Sequence, residues 1–375
     1  MRRNKVFGIG AAALALGLTM TACGTTKDDP KAGSGDDCSV KLAFIGPLTG
    51  DYANLGINIL NGADLALKEY KGDCKVEIVK KDSQGDPEKA KPFALEIAKD
   101  KDIIGVIGPT FSGETEATGP TFADPEVGLV TLSASATNPD LSSNGWNTFH
   151  RLIGTDAVQA PAAAKFITDT LKAKKVMVID DASEYGVGLA NGLKKALGSV
   201  VTETDTVQQK QSDFSATVTK AKASGTDAIY YAGYYAEAGK LAKQLKQGGY
   251  EGTFVSGDGS LDPGFIEAGG DGAEGAYLTC PCLWGTGDWA AKYEKEIGQA
   301  PGTYSTEGYD VMNVFLNGIE AGKTTRADML KWVTDYDEDG LTKHISFDDK
   351  GDVEESSVYA YEIKDGEIQP GQTIE

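Results

Sequence analysis

Histidine is nearly missing: the 375 residues include only His150 and His344. Two imidazoles cannot build a multi-histidine zinc or iron centre, so neither a resident metal nor a histidine-driven hydrolase is expected. Positive charge is also short. With 36 Lys and Arg against 56 Asp and Glu, the net charge is −20. Nucleic acid and anionic lipid surfaces would be repelled, and neither is expected as a partner. Enzyme signatures are lacking as well. No GxGxxG follows a strand, and GxxxxGK(S/T), GxSxG and HExxH do not occur; Gly8-Ile9-Gly10 sits in the N-terminal apolar run. No cofactor and no catalysis are expected, and a secreted α/β hydrolase is a poor reading without a nucleophile elbow.

What is present begins with a three-part leader. Arg2, Arg3 and Lys5 precede an apolar run from Val6 to Met20 that is too short for a typical membrane span. Met20-Thr21-Ala22-Cys23-Gly24 resembles a bacterial lipobox, which implies a signal peptide over residues 1–22 and lipid modification of Cys23. Residues 23–38 are rich in Gly, Ser, Thr, Lys and Asp and read as a flexible tether. The expected setting is the outer face of a bacterial cytoplasmic membrane, reached through the anchor alone. That compartment is oxidising, so the remaining four cysteines are expected to pair. Cys38 and Cys74 precede the first two strands, which a parallel sheet would set side by side. Cys280-Pro281-Cys282 is a tight spacing where strain could oppose a bond; a structural disulfide is the reading taken.

The body of the chain alternates strands and helices twice. The first series has strands at 41–46, 76–80, 103–107, 127–132 and 149–152, with helices at 55–70 and 87–99. The second has helices at 157–171, 186–197, 214–223 and 236–247, with strands at 175–180, 200–206, 228–231 and 253–256. Two series of this length imply two doubly wound domains. The tail adds a strand at 275–279, helices at 288–297, 305–321 and 327–333, and strands at 344–347 and 357–363 joined by a turn at 348–352. Asp335-Tyr336-Asp337-Glu338-Asp339-Gly340 opens like a calcium loop, but its twelfth position is Ser346, where a bidentate Glu is needed; a solvated acidic loop is expected.

The stretch from Gly108 to Leu141 holds two strand-to-loop passages in succession. One ends in Gly108-Pro109-Thr110-Phe111-Ser112-Gly113, the other in Ser133-Ala134-Ser135-Ala136-Thr137. Free N–H groups at helix N-termini attract carboxylates, and Ser112, Ser135 and Thr137 add hydroxyls beside them. Helix capping explains one such loop by itself; two at one sheet edge point to a ligand site. In the second series, Tyr185, Tyr234 and Asp258 follow strands and share the rim that would face those serines.

The ordered segments GPLTGDYANLG, GPTFSG, SASATNPDL, SEYGVGLANGLK, YYAGYYAEAG and SFDDKGD resemble the periplasmic-type binding proteins of ABC importers for branched-chain amino acids. The resemblance implies an α/β protein of two Rossmann-like lobes joined by three hinge crossovers, a type I Venus-flytrap. The crossovers would lie near 151–155, 277–281 and 346–348. Lobe 1 would comprise 39–152 and 279–345, and lobe 2 would comprise 153–278 and 346–375. By the same resemblance, Ser112 and Thr137 would hold the α-carboxylate of a free amino acid. The Ser135 carbonyl and Thr137 hydroxyl, with Ala136 between them, would hold its ammonium against Asp258. Tyr185 and Tyr234 would close over the ligand, and Leu55, Phe111 and Tyr304 would line its side chain. The family's enteric members carry their disulfide elsewhere, and Asp258 is one carbon shorter than the glutamate common at its place. The pocket size is therefore open, and so is the choice among leucine, isoleucine, valine and other ligands such as an amide, urea or an aromatic acid. Implied partners are an ABC permease or, for a sensor, a receptor; the binding protein itself would be a monomer.

Overall fold

The computed structural model describes residues 38–374. The expected signal peptide, Cys23 and the tether up to residue 37 lie outside the described residues.

Apolar strand runs set the architecture. β1 (Ser39–Gly46), α1 (Ala53–Glu69), β2 (Lys75–Asp82), α2 (Pro87–Lys99), β3 (Ile103–Ile107), α3 (Ser112–Phe122), β4 (Thr131–Ser133) and β5 (Phe149–Arg151) follow one another. Their strands form one parallel sheet in the order β2-β1-β3-β4-β5. The chain then runs through α4 (Asp156–Lys165), β6 (Val176–Asp180), α5 (Glu184–Leu197), β7 (Val201–Thr206), α6 (Ser215–Ser224), β8 (Ala228–Ala232), α7 (Tyr235–Gln247), β9 (Thr253–Ser256), α8 (Pro263–Gly269) and β10 (Tyr277–Cys280). These strands build a second sheet. Every residue of β3, β6 and β8 is buried, as expected for parallel strands covered by helices on both faces. Each fully buried Val, Leu or Ile contributes about 1.5–3 kcal/mol over exposure.

Helices α9 (Gly287–Ile297), α10 (Ser305–Glu320) and α11 (Arg326–Thr334) return to the first sheet. α10 packs along α1, and Arg326 gives its guanidinium to the backbone carbonyls of Ile103, Val127 and Asp100. The ribbon of β11 (Asp337–Asp339) and β12 (His344–Ser346) follows, and β13 (Tyr359–Lys364) ends in the second sheet beside β10, antiparallel to it. The second sheet thus reads β13-β10-β9-β8-β6-β7, with two short strands attached to β13. Cys38 is bonded to Cys74 at the starts of β1 and β2, and Cys280 to Cys282 where the chain leaves β10; their Cα atoms lie 4.6 and 5.1 Å apart.

Several expectations need correction. The strand expected over 127–132 is confined to Thr131–Ser133, because Gly128 turns the chain with φ +53° and Arg326 takes the Val127 carbonyl. The helix expected over 157–171 is α-helical only to Lys165 and ends in a π-turn over Phe166–Thr170. Helix α8 was not foreseen; Asp262 caps this seven-residue helix, with Pro263 in its first turn. The strands near 344–347 and 357–363 do not form a hairpin, since β12 pairs with β11 and β13 with β10. The acidic loop at 335–340 is in part a strand, and His344 bridges Asp337 and Asp339 at 2.7 Å each.

Candidate functional site

Ligand clefts in parallel sheets open where the strand order reverses. That point falls between β1 and β3 in the first sheet and between β6 and β8 in the second. The loop after β1 delivers Tyr52 and the first turn of α1 delivers Leu55; the loop after β3 delivers Phe111 and Ser112. From the second sheet come Tyr185, in the first turn of α5, and Tyr234, immediately before α7. The two sets meet. Ring centroids of Phe111 and Tyr234 are 4.5 Å apart, those of Tyr52 and Tyr234 4.9 Å, and those of Tyr185 and Tyr234 5.3 Å. The Tyr52 hydroxyl lies 3.2 Å from each carboxylate oxygen of Glu237, and Asn54 Nδ2 donates to Asp262 at 2.8 Å.

Between these rings lies a narrow cavity of about 10 Å³, little more than the space one water centre needs. Leu55, Phe111, Ser112, Ser135 and Tyr304 line one side; Tyr185, Tyr234, Asp258 and Gly259 line the other. Gly259 is required there, because a Cβ would come within 2.9 Å of the Tyr185 ring. Neither histidine lines it, nor does any lysine or arginine.

The donor side is built from two stitched loops. Gly108 turns the first with φ +108°, where a Cβ would stand 2.8 Å from the Ile45 carbonyl. Ser135 Oγ donates to the Thr110 carbonyl at 2.6 Å, and Ser133 Oγ to that of Pro109 at 2.7 Å. Ser112 Oγ accepts from the Asn138 amide at 3.2 Å, so its own proton is free to donate into the cavity. It stands at the N-terminus of α3, where unpaired amides carry positive partial charge.

The acceptor side is anionic. Asp258 is buried, and its carboxylate accepts from the Tyr185 hydroxyl at 2.8 Å and from the Tyr304 hydroxyl. Burial raises its pKa against those hydrogen bonds. Behind it, Asp156 is fully buried beside Thr137 Oγ1, with no hydrogen bond of good geometry to either oxygen, and Gln159 Oε1 is buried without a partner too. Burial, then the nearby Asp258 charge, hold the Asp156 carboxyl well above the usual range, with the Thr137 hydroxyl opposing the shift.

A model of the family described as periplasmic binding protein matches residues 39–367. This chain belongs to the periplasmic binding protein family. It is 28% identical over 340 residues to the leucine-, isoleucine-, valine-, threonine- and alanine-binding protein of Pseudomonas aeruginosa, covering 86% of this chain and 90% of that one. It is 32% identical over 251 residues to the Leu/Ile/Val-binding protein of Escherichia coli, covering 64% and 67%. The crystal structure of a leucine-binding protein from Thermotoga maritima superposes with a TM-score of 0.82 at 28% identity, over 89% of this chain and 98% of that one. Two lobes in a type I periplasmic binding protein fold are therefore the architecture of this chain.

In this binding protein, eight of the ten residues singled out in the sequence meet at one cavity. Ala136 and Thr137 do not line it; they lie fully buried in the loop just behind Ser135. The Ser135 hydroxyl is committed to joining the two loops. Sequence reasoning missed Tyr52, although GPLTGDYANLG contains it, and it missed Asp156, Arg151 and Glu237. Asp156 carries no local signal in the sequence; its burial behind Asp258 is a tertiary fact.

The donor loop rests on one more buried acid. Glu114 accepts from the Phe111 amide at 2.9 Å and from the Ser83 hydroxyl, and burial pushes its pKa from 4.5 to about 7. The folded chain therefore holds this proton more tightly than the unfolded one. Its contribution to stability is complete below about pH 4.5 and is lost as pH rises through about 7, a fall of about 3 kcal/mol in unfolding free energy. Asp181, pushed up to about 6 by burial, adds a smaller slope of the same sign. Buried His150, held down to about 4 by desolvation, contributes a slope of the opposite sign over much of this range. The measurement is therefore the difference in unfolding free energy between the protein and Glu114→Gln. Urea titrations from pH 4.5 to 7.5 should show it falling by about 3 kcal/mol as pH rises. An unchanged slope in the variant would remove Glu114 as its source.

Proposed function

We propose that the protein is a non-catalytic, lipid-anchored receptor that binds a free aliphatic amino acid between its lobes and delivers it to an ABC permease. One observation carries this reading. A narrow cavity is lined by Ser112 at the α3 N-terminus on one side and by the buried Asp258 carboxylate on the other, an arrangement suited to the two charges of a zwitterion. The family and the named relatives, which bind leucine, isoleucine, valine and, in one case, threonine and alanine, support it. Lobe 1 is read as 39–152 with 279–345, and lobe 2 as 153–278 with 346–375. The chain crosses after β5, after β10 and after β12. A ligand that touches both lobes favours the closed form, and that form is what a permease would select. Cys23 would supply the anchor, at the outer face of the cytoplasmic membrane, to a monomer.

The test is calorimetry of the purified protein, unfolded and refolded to strip carried ligand, against the twenty amino acids. Binding of one or more aliphatic amino acids is expected. Binding only of amides or of carboxylates lacking an amine would reassign the clamp. Within the site, Ser112→Ala should weaken binding by about 1–3 kcal/mol as a buried carboxylate loses a donor. Unaltered affinity would remove Ser112 from the carboxylate site.

A further inference from the structure

We infer that Glu237 and Asp181 of lobe 2, covered by Tyr52 of lobe 1, form a proton-operated latch that makes the lobes close more readily as pH falls. The inference rests on the clamp reading above only in that the lobes open and close; it does not depend on which ligand they hold.

Tyr52 reaches across from the start of α1. Its ring packs 4.9 Å from that of Tyr234 and 6.4 Å from that of Tyr235, and its hydroxyl stands 3.2 Å from each oxygen of Glu237. Glu237 lies in the first turn of α7 and also accepts from the Lys210 amide at 2.7 Å. Asp181 directly follows β6. One of its oxygens accepts from the Ser183 amide at 3.0 Å and from the Ser183 hydroxyl, and the other has no hydrogen bond. The Tyr231 hydroxyl, also without a partner, lies beside it: a Cβ on Gly233 would fall 2.5 Å from that hydroxyl and 2.9 Å from Asp181 Cβ. Tyr52, Asp181, Tyr231 and Glu237 are all buried.

Other charges face this cluster. Asp180 stands at the end of β6, Asp51 beside Tyr52 in lobe 1, and Lys240 on α7. Glu114 of α3 and Asp262 before α8 face the neighbouring Tyr234 and Tyr235. These are four acids and one lysine, so the surroundings do not favour a second buried negative charge. Burial raises both members of the pair, Asp181 to about 6 and Glu237 in the same direction, against the hydrogen bonds from Ser183 to one and from Lys210 and Tyr52 to the other.

A cavity of about 10 Å³ admits an amino acid only when the lobes part. Parting withdraws Tyr52 and lets water reach the two carboxylates, so the open form holds their protons less firmly. By linkage, the closed form gains on the open form as pH falls through about 6.

Small-angle X-ray scattering of the ligand-stripped protein at pH 5 and pH 7.5 reads the ratio of closed to open form through the radius of gyration. A ratio at least about five-fold higher at the lower pH is expected. Asp181→Asn combined with Glu237→Gln should make the protein as compact at pH 7.5 as the unaltered protein is at pH 5. Each single substitution should do so in part should the double variant not fold. Asp156 and Asp258 are buried acids of the same kind at the cavity; an unchanged pH dependence in the folded variants would overturn the latch and move the effect to them. An equal radius of gyration at both pH values in the unaltered protein would overturn it outright. Either failure leaves the amino-acid reading standing, because calorimetry against the twenty amino acids decides that separately.

Discussion

Asp258→Asn is expected to lower affinity for amino acids at least about a hundred-fold while leaving the fold intact. The carboxylate is buried and would face the ligand ammonium with no lysine or arginine in the cavity lining to substitute for it. Leaving one member of a buried ion pair without its partner costs about 3–5 kcal/mol, which is about two to three and a half decades in affinity. The unliganded protein should not suffer comparably. Burial already raises the pKa of this acid, so the neutral amide removes a desolvated charge. The variant should keep its melting temperature and lose its ligand. Retained micromolar binding of alanine or leucine would sink the assignment of Asp258 to the ammonium. Lost binding accompanied by a collapsed melting temperature would mean that the residue serves the fold instead.

A second large effect should come from Arg151, which touches no part of the cavity. Its guanidinium is fully buried. Nη1 donates to the carbonyls of Ala136 and Asn138 at 2.9 and 2.8 Å, Nε to Asp352 at 2.6 Å, and Nη2 to Ser142. Thus one side chain at the end of β5 clamps the back of the 135–142 loop and joins it to the segment after β12. Arg151→Leu leaves the Ala136 carbonyl without a partner, takes a donor from the Asn138 carbonyl, which keeps the Leu141 amide, and leaves Asp352, still bonded to Ser142, without its cation. It should destabilise the protein by about 3–5 kcal/mol in urea unfolding. Arg151→Lys should recover little of that, since an ammonium cannot reproduce the planar fork that meets several acceptors at once. Full recovery by lysine would show that only the charge matters at this place.

Much of the fold was legible because burial on both faces leaves a direct mark in composition. Ile103-Ile104-Gly105-Val106-Ile107 and Val176-Met177-Val178-Ile179 can be little else than inner parallel strands. The cavity was legible in part for a related reason: parallel strands point their carboxyl ends the same way, so loops following strands share a rim, and Ser112, Tyr185, Tyr234 and Asp258 all follow strands. Thr137 was assigned to the ligand on the same logic, but the loop turns after Ser135 and buries it behind the rim. Tyr52 and Glu237 escaped notice because a lone tyrosine and a lone glutamate carry no local signal; they matter only as a pair bridging α1 and α7. The partner choice of β12 and β13 escaped for the same reason, since apolar alternation says that a strand forms and not which edge it joins.

The sequence by itself determined the two α/β series, the sides of the cleft on which hydroxyls and acids would gather, and the lack of any histidine, metal or phosphate-binding chemistry motif to compete with a binding role. These follow from residue type and order along the chain. Only the tertiary structure decided how large the cavity is, that Tyr304 and Asp258 share a hydrogen bond, and that Arg151 and Asp156 stand behind the site. Those properties depend on distances between residues far apart in the chain, such as the 46 positions separating Asp258 from Tyr304. Packing sets such distances, and no local pattern encodes them.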